Sequence, residues 1–363
     1  VSFERVDNEE PRPVEHSVSK GPIPVSPRVP LIVTGLGLVI VILVGTAIGP
    51  ADLSIGTVVG VLLSHVPLIH YHSSTSALNQ GIVWEIRLPG VVLAGIVGAM
   101  LAAGGASYQG VFRNPLADPY LLGVAAGAGL GATIVIVASS GSTALLPIAA
   151  FLGGAVAVTI TYLVGAKFGG RSSGTSVVLA GVAVAAIFTA VQTFLQQQHA
   201  QDLQAVYSWI LGSLAVATWS DVWLILPYVV LSMAVLLAHR RLLDVLRLGE
   251  DEARSLGVNP QRVRLLVVAA ATLGTAAAVS VSGLIGFVGI IVPHLVRLTT
   301  NASYRVVLPV SIVGGAAFLI LANLVALNAD APAQIPLGVI TAFVGGPFFI
   351  FVLRSRRAHQ GVL

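Results

Sequence analysis

The chain has 363 residues, 56% of them hydrophobic and 9% charged, with a net charge of +4 and a mean hydropathy of +0.93. That composition lies outside the range of soluble domains and predicts an integral membrane protein. No cysteine is present, which excludes disulfides and thiolate metal sites. The excess of basic residues is explained by membrane orientation, so no nucleic-acid partner is expected.

Residues 1–30 are rich in Pro, Glu, Ser and Val without apolar periodicity. They predict a disordered cytoplasmic tail, too polar for a signal peptide. Apolar stretches able to cross a hydrocarbon core of roughly 30 Å follow at 31–49, 90–111, 119–138, 143–166, 175–197 and 220–239. Four more lie at 263–281, 284–297, 306–328 and 335–353, the eighth of them short. The expected fold is therefore all-α: a polytopic membrane domain of ten transmembrane helices over 31–353, closed by a cytoplasmic tail at 354–363.

Lys and Arg gather on the cytoplasmic side of short loops. With the N-terminus inside, 18 of the 19 basic residues fall in inner segments and only Arg87 lies outside. A shift by one span scatters them over both sides. The pattern predicts an even number of spans with the N- and C-termini cytoplasmic. None of the 15 acidic residues lies in the middle of a predicted span. Ion-coupled carriers commonly keep such a group or a broken-helix ion site at depth. Bare metal cations need carboxylate, imidazole or thiolate ligands along their path. The cargo is thus expected to be a complete molecule, a chelate included. No Gly-x-x-x-x-Gly-Lys-Ser/Thr loop occurs, so any ATP and Mg are expected at a partner ATPase, and this chain is expected to bind no cofactor and to be no enzyme.

Local features follow in chain order. His65, His70 and His72 in the first outer loop can hold a metal, although histidines in a solvated loop are more often incidental, and no metal site is assigned. In the run Arg113-Asn114-Pro115-Leu116-Ala117-Asp118-Pro119, Asp118 can cap a helix whose first position suits Pro119. Gly123, Gly127 and Gly131 recur every fourth residue, placing three glycines on one helical face for close packing or, alternatively, along a pore. Gln192, Gln196 and His199 share a face at the end of the fifth span. Uncharged amides there suit either a weak passage for a polar ligand or solvation at the interface.

The segment 241–262 is the largest charged loop. Leu248-Gly249-Glu250-Asp251-Glu252-Ala253-Arg254-Ser255-Leu256-Gly257 can form a short amphipathic helix, with Leu248, Ala253 and Leu256 offering apolar contacts to a cytosolic partner and Glu250, Asp251, Glu252 and Arg254 offering charges. A solvated loop is the alternative. Between Gly283 and Arg297 an apolar stretch carries three glycines, Pro293 and His294. The glycines permit close backbone approach and Pro293 frees the carbonyl four residues before it. His294 and Arg297 are expected to end a short helix near the inner face, close to the 248–257 segment.

Several of these residues fall in ordered motifs: Arg87-Leu88-Pro89, Gln109 with Asn114-Pro115-Leu116-Ala117, Leu122-Gly123-Val124, and Trp209-Ile210-Leu211-Gly212-Ser213-Leu214. Others are Leu248-Gly249-Glu250 with Leu256-Gly257, Gly286-Phe287-Val288-Gly289 through Pro293-His294 to Arg297, and Gly345-Gly346-Pro347-Phe348. Over nearly everything after residue 30 the chain resembles the FecCD-type permease subunits of ABC importers for ferric siderophores, haem and cobalamin. The resemblance implies the type II ABC importer permease fold, a homodimer with a central pathway between the copies, two cytoplasmic ATPase subunits, an extracytoplasmic substrate-binding protein and a prokaryotic cytoplasmic (inner) membrane. It also implies that 248–257 docks on the ATPase, that Ser172, Ser173, Thr175 and Ser176 form the inner gate, and that Arg87 pairs with acidic residues of the binding protein.

The chain departs from the family pattern at Gly90, Asn323, Leu327 and Gln334, which reduces the charges available for outer docking. The expected cargo is a ferric siderophore, then haem, then cobalamin, with the Gln192–His199 rim suiting a hydrophilic chelate. An ion-coupled secondary transporter is the alternative of a different class.

Overall fold

A computed structural model describes residues 28–49, 53–66, 75–139, 144–168, 174–300, 303–331 and 333–360. Ser172, Ser173, His70, His72 and all but the last three residues of the predicted 1–30 tail lie outside them. Among the described residues the chain is helical throughout, in the order α1 Arg28–Ala47, α2 Ile55–Ser64, α3 Ala77–Gly81, α4 Leu88–Phe112, α5 Val124–Ala138, α6 Leu146–Phe168 and α7 Gly174–Gln198. Then come α8 Leu203–Ile210, α9 Trp219–Leu246, α10 Glu250–Ser255, α11 Pro260–Ser282, α12 Val288–Thr299, α13 Tyr304–Asn328 and α14 Leu337–Gln360.

Seven helical stretches are long and apolar enough to cross a membrane, and the shorter α2, α5, α12 and α14 (over Leu337–Val352) are apolar too. The seven with α5, α12 and α14 coincide with the ten predicted spans, as expected where each backbone amide must be satisfied within its own helix, whereas the apolar α2 lies in the predicted outer segment between the first two. Several boundaries differ from expectation. The sixth span continues to Leu246, and α14 continues through most of the predicted 354–363 tail to Gln360. Thus α9 and α11 consume both ends of the predicted 241–262 loop.

α4 lies at the centre, packed on α13, α11, α9 and α12. Its sequence is rich in Ala and Gly, and it buries residues on all sides. The close approach is visible at Gly98, where an added Cβ would stand 2.2 Å from the Gly315 carbonyl oxygen, and at Gly105, where it would stand 1.9 Å from that of Gly289. Without water between helices, such backbone contact supplies the packing that drives association in lipid. α1 lies at the edge with exposed Ile32, Val33, Leu36 and Ile40, a lipid-facing surface.

The third span is not one helix. Asp118 does cap its start, accepting the Tyr120 N–H at 2.8 Å, but the capped element is a 3-10 turn, Pro119–Leu122, ended by Gly123 at φ 84°. Gly123 therefore sits at a junction outside α5. The expected ladder of three glycines reduces to Gly127, packed on Gly153, and Gly131, packed on Ala149, which is the packing alternative.

The eighth span is shorter than expected: residues 283–287 are not helical, and α12 begins at Val288. This break is interlocked with two others. Ser213 N–H donates to Ser282 O at 3.0 Å, and the N–H groups of Leu337 and Gly338 donate at 2.9 Å to the carbonyls of Gly212 and Leu211. Non-helical backbone at membrane depth persists only where protein groups satisfy it, and here the breaks satisfy one another.

Candidate functional site

The predicted amphipathic helix exists as α10, and it is built by charge. Glu250, Asp251 and Glu252 occupy its first turn and Arg254 its last, the order the helix dipole favours. Arg254 bridges Asp251 at 2.7 Å and Glu250 at 3.1 Å. Gly249 at φ 138° and Gly257 at φ 77° make the sharp entry and exit, conformations that side chains resist.

Two expectations for this segment need correction. Ala253 is completely buried and belongs to the main core, so it anchors α10 to the protein and offers nothing to a partner. Glu250 turns inward as well: its carboxylate, 14% exposed, meets Arg264 of α11 at 2.6 Å. The short α10 can bury only one face, and these two residues occupy it. What remains outward includes Leu248, Leu256, Glu252 and Asp251, whose side chain is 93% exposed, with Arg254 half exposed.

Next to this corner lies a partly buried polar cluster that joins four helices. Asp244 near the end of α9 accepts the Ser303 hydroxyl and the Tyr304 N–H, each at 2.8 Å, and so caps the start of α13. The Tyr304 hydroxyl accepts from Arg297 of α12 at 3.1 Å. Arg297 also donates to the Gln109 side-chain oxygen of α4, while Gln109 Nε2 donates to Gly289 O at 3.0 Å. That carbonyl is the one Pro293 leaves free, four residues on. A single glutamine thus braces α12 at Gly289 and at Arg297, two turns apart.

At the other end of α12 the break 283–287 is shaped by three different needs. Gly283 stands at φ 68° with its Cα against Gly212 and the Trp209 carbonyl. Gly286 has open space around it. Phe287 adopts φ 69°, an uncommon state for a bulky residue, and its ring packs onto Gly345 of α14 and beside Phe349 at 6.1 Å. His294 meets Phe348 edge-on at 5.6 Å. The Tyr120 hydroxyl lies 3.1 Å from both the nitrogen and the oxygen of Ile285, serving the peptide that no helix serves.

The other expected site residues are dispersed. Gln192 and Gln196 are buried, and the Gln192 amide packs against Gly129 of α5. They face the interior of the protein and do not line an open path, because α5 and α7 pack together through that stripe. His199 bonds its own helix through Leu195 O at 3.1 Å. The exposed stripe of α7 carries Thr189, Thr193 and Gln197 instead, among Val182, Ala186 and Ala190. Thr175 and Ser176 stand in the first turn of α7.

Arg87 ends a π-helical turn, Ile82–Arg87, and its Nη1 donates to the carbonyls of Thr46 at 3.1 Å and Ala47 at 2.5 Å. It closes the end of α1, a role that the sequence pattern does not reveal. His65 stacks on Trp84 with ring centroids 3.7 Å apart, and its Nδ1 stands 2.9 Å from Val61 O.

Sequence reading overlooked Asp244, Tyr304 and Tyr120 altogether and attached no structural role to Gln109. Only the freed carbonyl before Pro293 pointed toward one of them.

Comparison with known proteins adds three findings. A family model described as the FecCD transport family matches residues 37–355. The cobalamin import system permease of Halobacterium salinarum is 40% identical over 357 residues, covering 90% of this chain and 95% of that one, and the hemin transport system permease of Yersinia pestis is 38% identical over 338 residues, covering 90% and 97%. Among solved structures, an inward-facing conformation of a transporter described as of metal-chelate type aligns with a TM-score of 0.80 and 30% identity, covering 91% of this chain and 100% of that one.

Proposed function

Because the chain belongs to the FecCD transport family and is the permease subunit of an ABC importer, we propose that it works as a homodimer, with two ATPase subunits at the α10 end and an extracytoplasmic binding protein at the opposite end. ATP and Mg belong to the ATPase, and their turnover closes and reopens the inner and outer gates in alternation. The α10 end faces the cytoplasm of a prokaryotic cell with both termini, in keeping with the distribution of Lys and Arg. Leu248, Leu256, Asp251 and Arg254 receive the ATPase, while Glu250, Ala253, Gly249 and Gly257 hold them in place. The first turn of α7, with Thr175 and Ser176, forms the inner gate together with Ser172 and Ser173.

The pathway runs between two copies along the exposed stripe of α7, where Thr189, Thr193 and Gln197 present neutral hydrogen-bonding groups to a passing ligand. Gln192 and Gln196 stiffen the wall behind it.

The cargo is an intact metal chelate, with a ferric siderophore first and haem next. The likeness over 91% of the chain to a metal-chelate type transporter supports this class. Cobalamin is the third reading, favoured by the 40% identity with a cobalamin permease, and the burial of Gln192 and Gln196 weakens the argument from a polar rim for a hydrophilic chelate.

The test reconstitutes the permease in liposomes with and without its ATPase, alongside identification by absorption spectrum and mass of the ligand held by the cognate binding protein. ATP-dependent uptake of a chelate is expected. Uptake driven by an ion gradient without ATPase overturns the reading.

A further inference from the structure

α12 is short, braced by one side chain and preceded by an unwound segment. Gln109 fixes it at Gly289 and Arg297, and Gly105 of α4 meets Gly289 so closely that the two helices cannot slide independently there. The helix is thus tied to α4 at two points, Gly289 and Arg297. Its far end runs into residues 283–287, where Gly286 has room to turn and Phe287 rests on α14 through Gly345. Its near end is Arg297, whose guanidinium is held by two neutral oxygens, those of Gln109 and Tyr304, and lies 5.4 Å from the Tyr304 ring centre.

Tyr304 is in turn tied to the corner that leads into α10. Asp244 holds the Tyr304 N–H and the Ser303 hydroxyl, and Arg247, one helical turn further along the same corner, lies 5.9 Å from the Tyr304 ring. From Arg247 only Leu248 and Gly249 intervene before α10 begins. Every link is a hydrogen bond or a ring contact between side chains and helix ends, and none is a lipid-facing contact. A displacement of the corner therefore has a side-chain route to α12 through the start of α13 and the guanidinium, beside the helix packing of α9 on α11 and α4.

We propose that Arg297 is a positioning residue of the transport cycle: through Tyr304 and Asp244 it makes α12 follow the α9–α10 corner, so that a movement imposed on α10 reaches the unwound segment 283–287 beside α14. This rests on the reading that α10 receives the ATPase. A guanidinium on two neutral acceptors suits the task, since its planar fork fixes direction without the depth of an ion pair that would lock the corner in one position. The break at 283–287 supplies the other requirement, a place where the backbone can absorb the change.

The experiment uses the whole importer, permease with ATPase and binding protein, in proteoliposomes. Hemin, cyanocobalamin and an iron-loaded trihydroxamate are offered separately, and the one that the unmodified complex takes up is used for the variants. Tyr304→Phe removes a single oxygen. Uptake is expected to fall about tenfold, the scale of one lost hydrogen bond to a charged group, while ATP hydrolysis and co-purification of the ATPase are retained, so that more ATP is spent per ligand. Asp244→Asn is expected to uncouple in the same way, and the double variant to be no worse than the more damaged single one, as residues acting on one route are not additive. Arg297→Lys, which keeps the charge and loses the fork, is expected to fall between wild type and Tyr304→Phe.

Parallel loss of uptake and hydrolysis in Tyr304→Phe overturns the proposal, as do unchanged uptake and multiplicative effects in the double variant. An unmodified complex that hydrolyses ATP and takes up none of the three probes overturns the functional reading itself, and the proposal with it.

Discussion

The hydroxyl of Tyr120 stands 3.1 Å from both the amide nitrogen and the carbonyl oxygen of Ile285, accepting from one and donating to the other. Ile285 lies in the break between α11 and α12 and is buried, so no water competes for its peptide groups. One side chain from a 3-10 turn in the first half of the chain thereby makes an unwound segment tolerable in the second.

Tyr120→Phe should leave both peptide groups of Ile285 without that partner. A cost of about 1–3 kcal/mol is expected for buried groups left unsatisfied. Thermal unfolding in detergent measures it, and an unchanged midpoint would show that the segment finds other partners.

Glu250 and Asp251 should separate in their effects. Glu250→Gln weakens the contact with Arg264 that seats α10 on α11, a hydrogen bond between charged groups of the kind that contributes about 1.5–3 kcal/mol. Hydrogen exchange over 250–257 is expected to speed up even in the isolated permease. Asp251→Lys loses only the exposed bridge to Arg254 and a favourable first-turn charge, worth a few tenths of a kcal/mol to about 1 kcal/mol, so exchange should speed up less than in Glu250→Gln while co-purification of the ATPase declines more. Equal behaviour of the two variants in both measurements would contradict the geometry.

Arg87→Glu should destabilise the permease before any partner is present. It removes the donors that close the end of α1 and places a carboxylate against a helix C-terminus, for a combined loss of about 1–2 kcal/mol. A lowered unfolding midpoint in the permease alone is the expected result. A weakened affinity for the binding protein with an unchanged midpoint would instead return Arg87 to a docking role.

Gly286 in the break before α12 and Gly105 of α4, which faces α12, predict opposite outcomes for the same substitution. Gly286→Ala meets nothing within 4 Å and should change stability by no more than about 0.5 kcal/mol. Gly105→Ala, facing the Gly289 carbonyl at 1.9 Å, must push α4 and α12 apart and should cost about 1–3 kcal/mol or more. Yield of monodisperse protein and thermal midpoint compare the two directly.

Much was legible without coordinates because the determinants are local. Ten apolar stretches could be counted since a lipid-embedded backbone must bond within its own segment, and most helix ends fell within a few residues of the hydropathy boundaries. Pro293 announced a free carbonyl by its missing N–H, and Asp118 announced a cap. The order of motifs from Arg87 to Phe348 was sufficient to point to the family.

That this is a helical membrane protein, and where a charged helix interrupts its spans, thus follows from the residues alone, since hydropathy, proline and glycine chemistry act within a few residues. Only the tertiary structure decided which side of each helix matters. It turned Gln192, Gln196, Ala253 and Glu250 inward, gave Arg87 to the end of α1, and brought Tyr120 to Ile285 and Arg297 to Gln109 and Tyr304. Most of these outcomes depend on helices distant in sequence approaching to within a hydrogen bond, and no periodicity along one helix records what its neighbour presents.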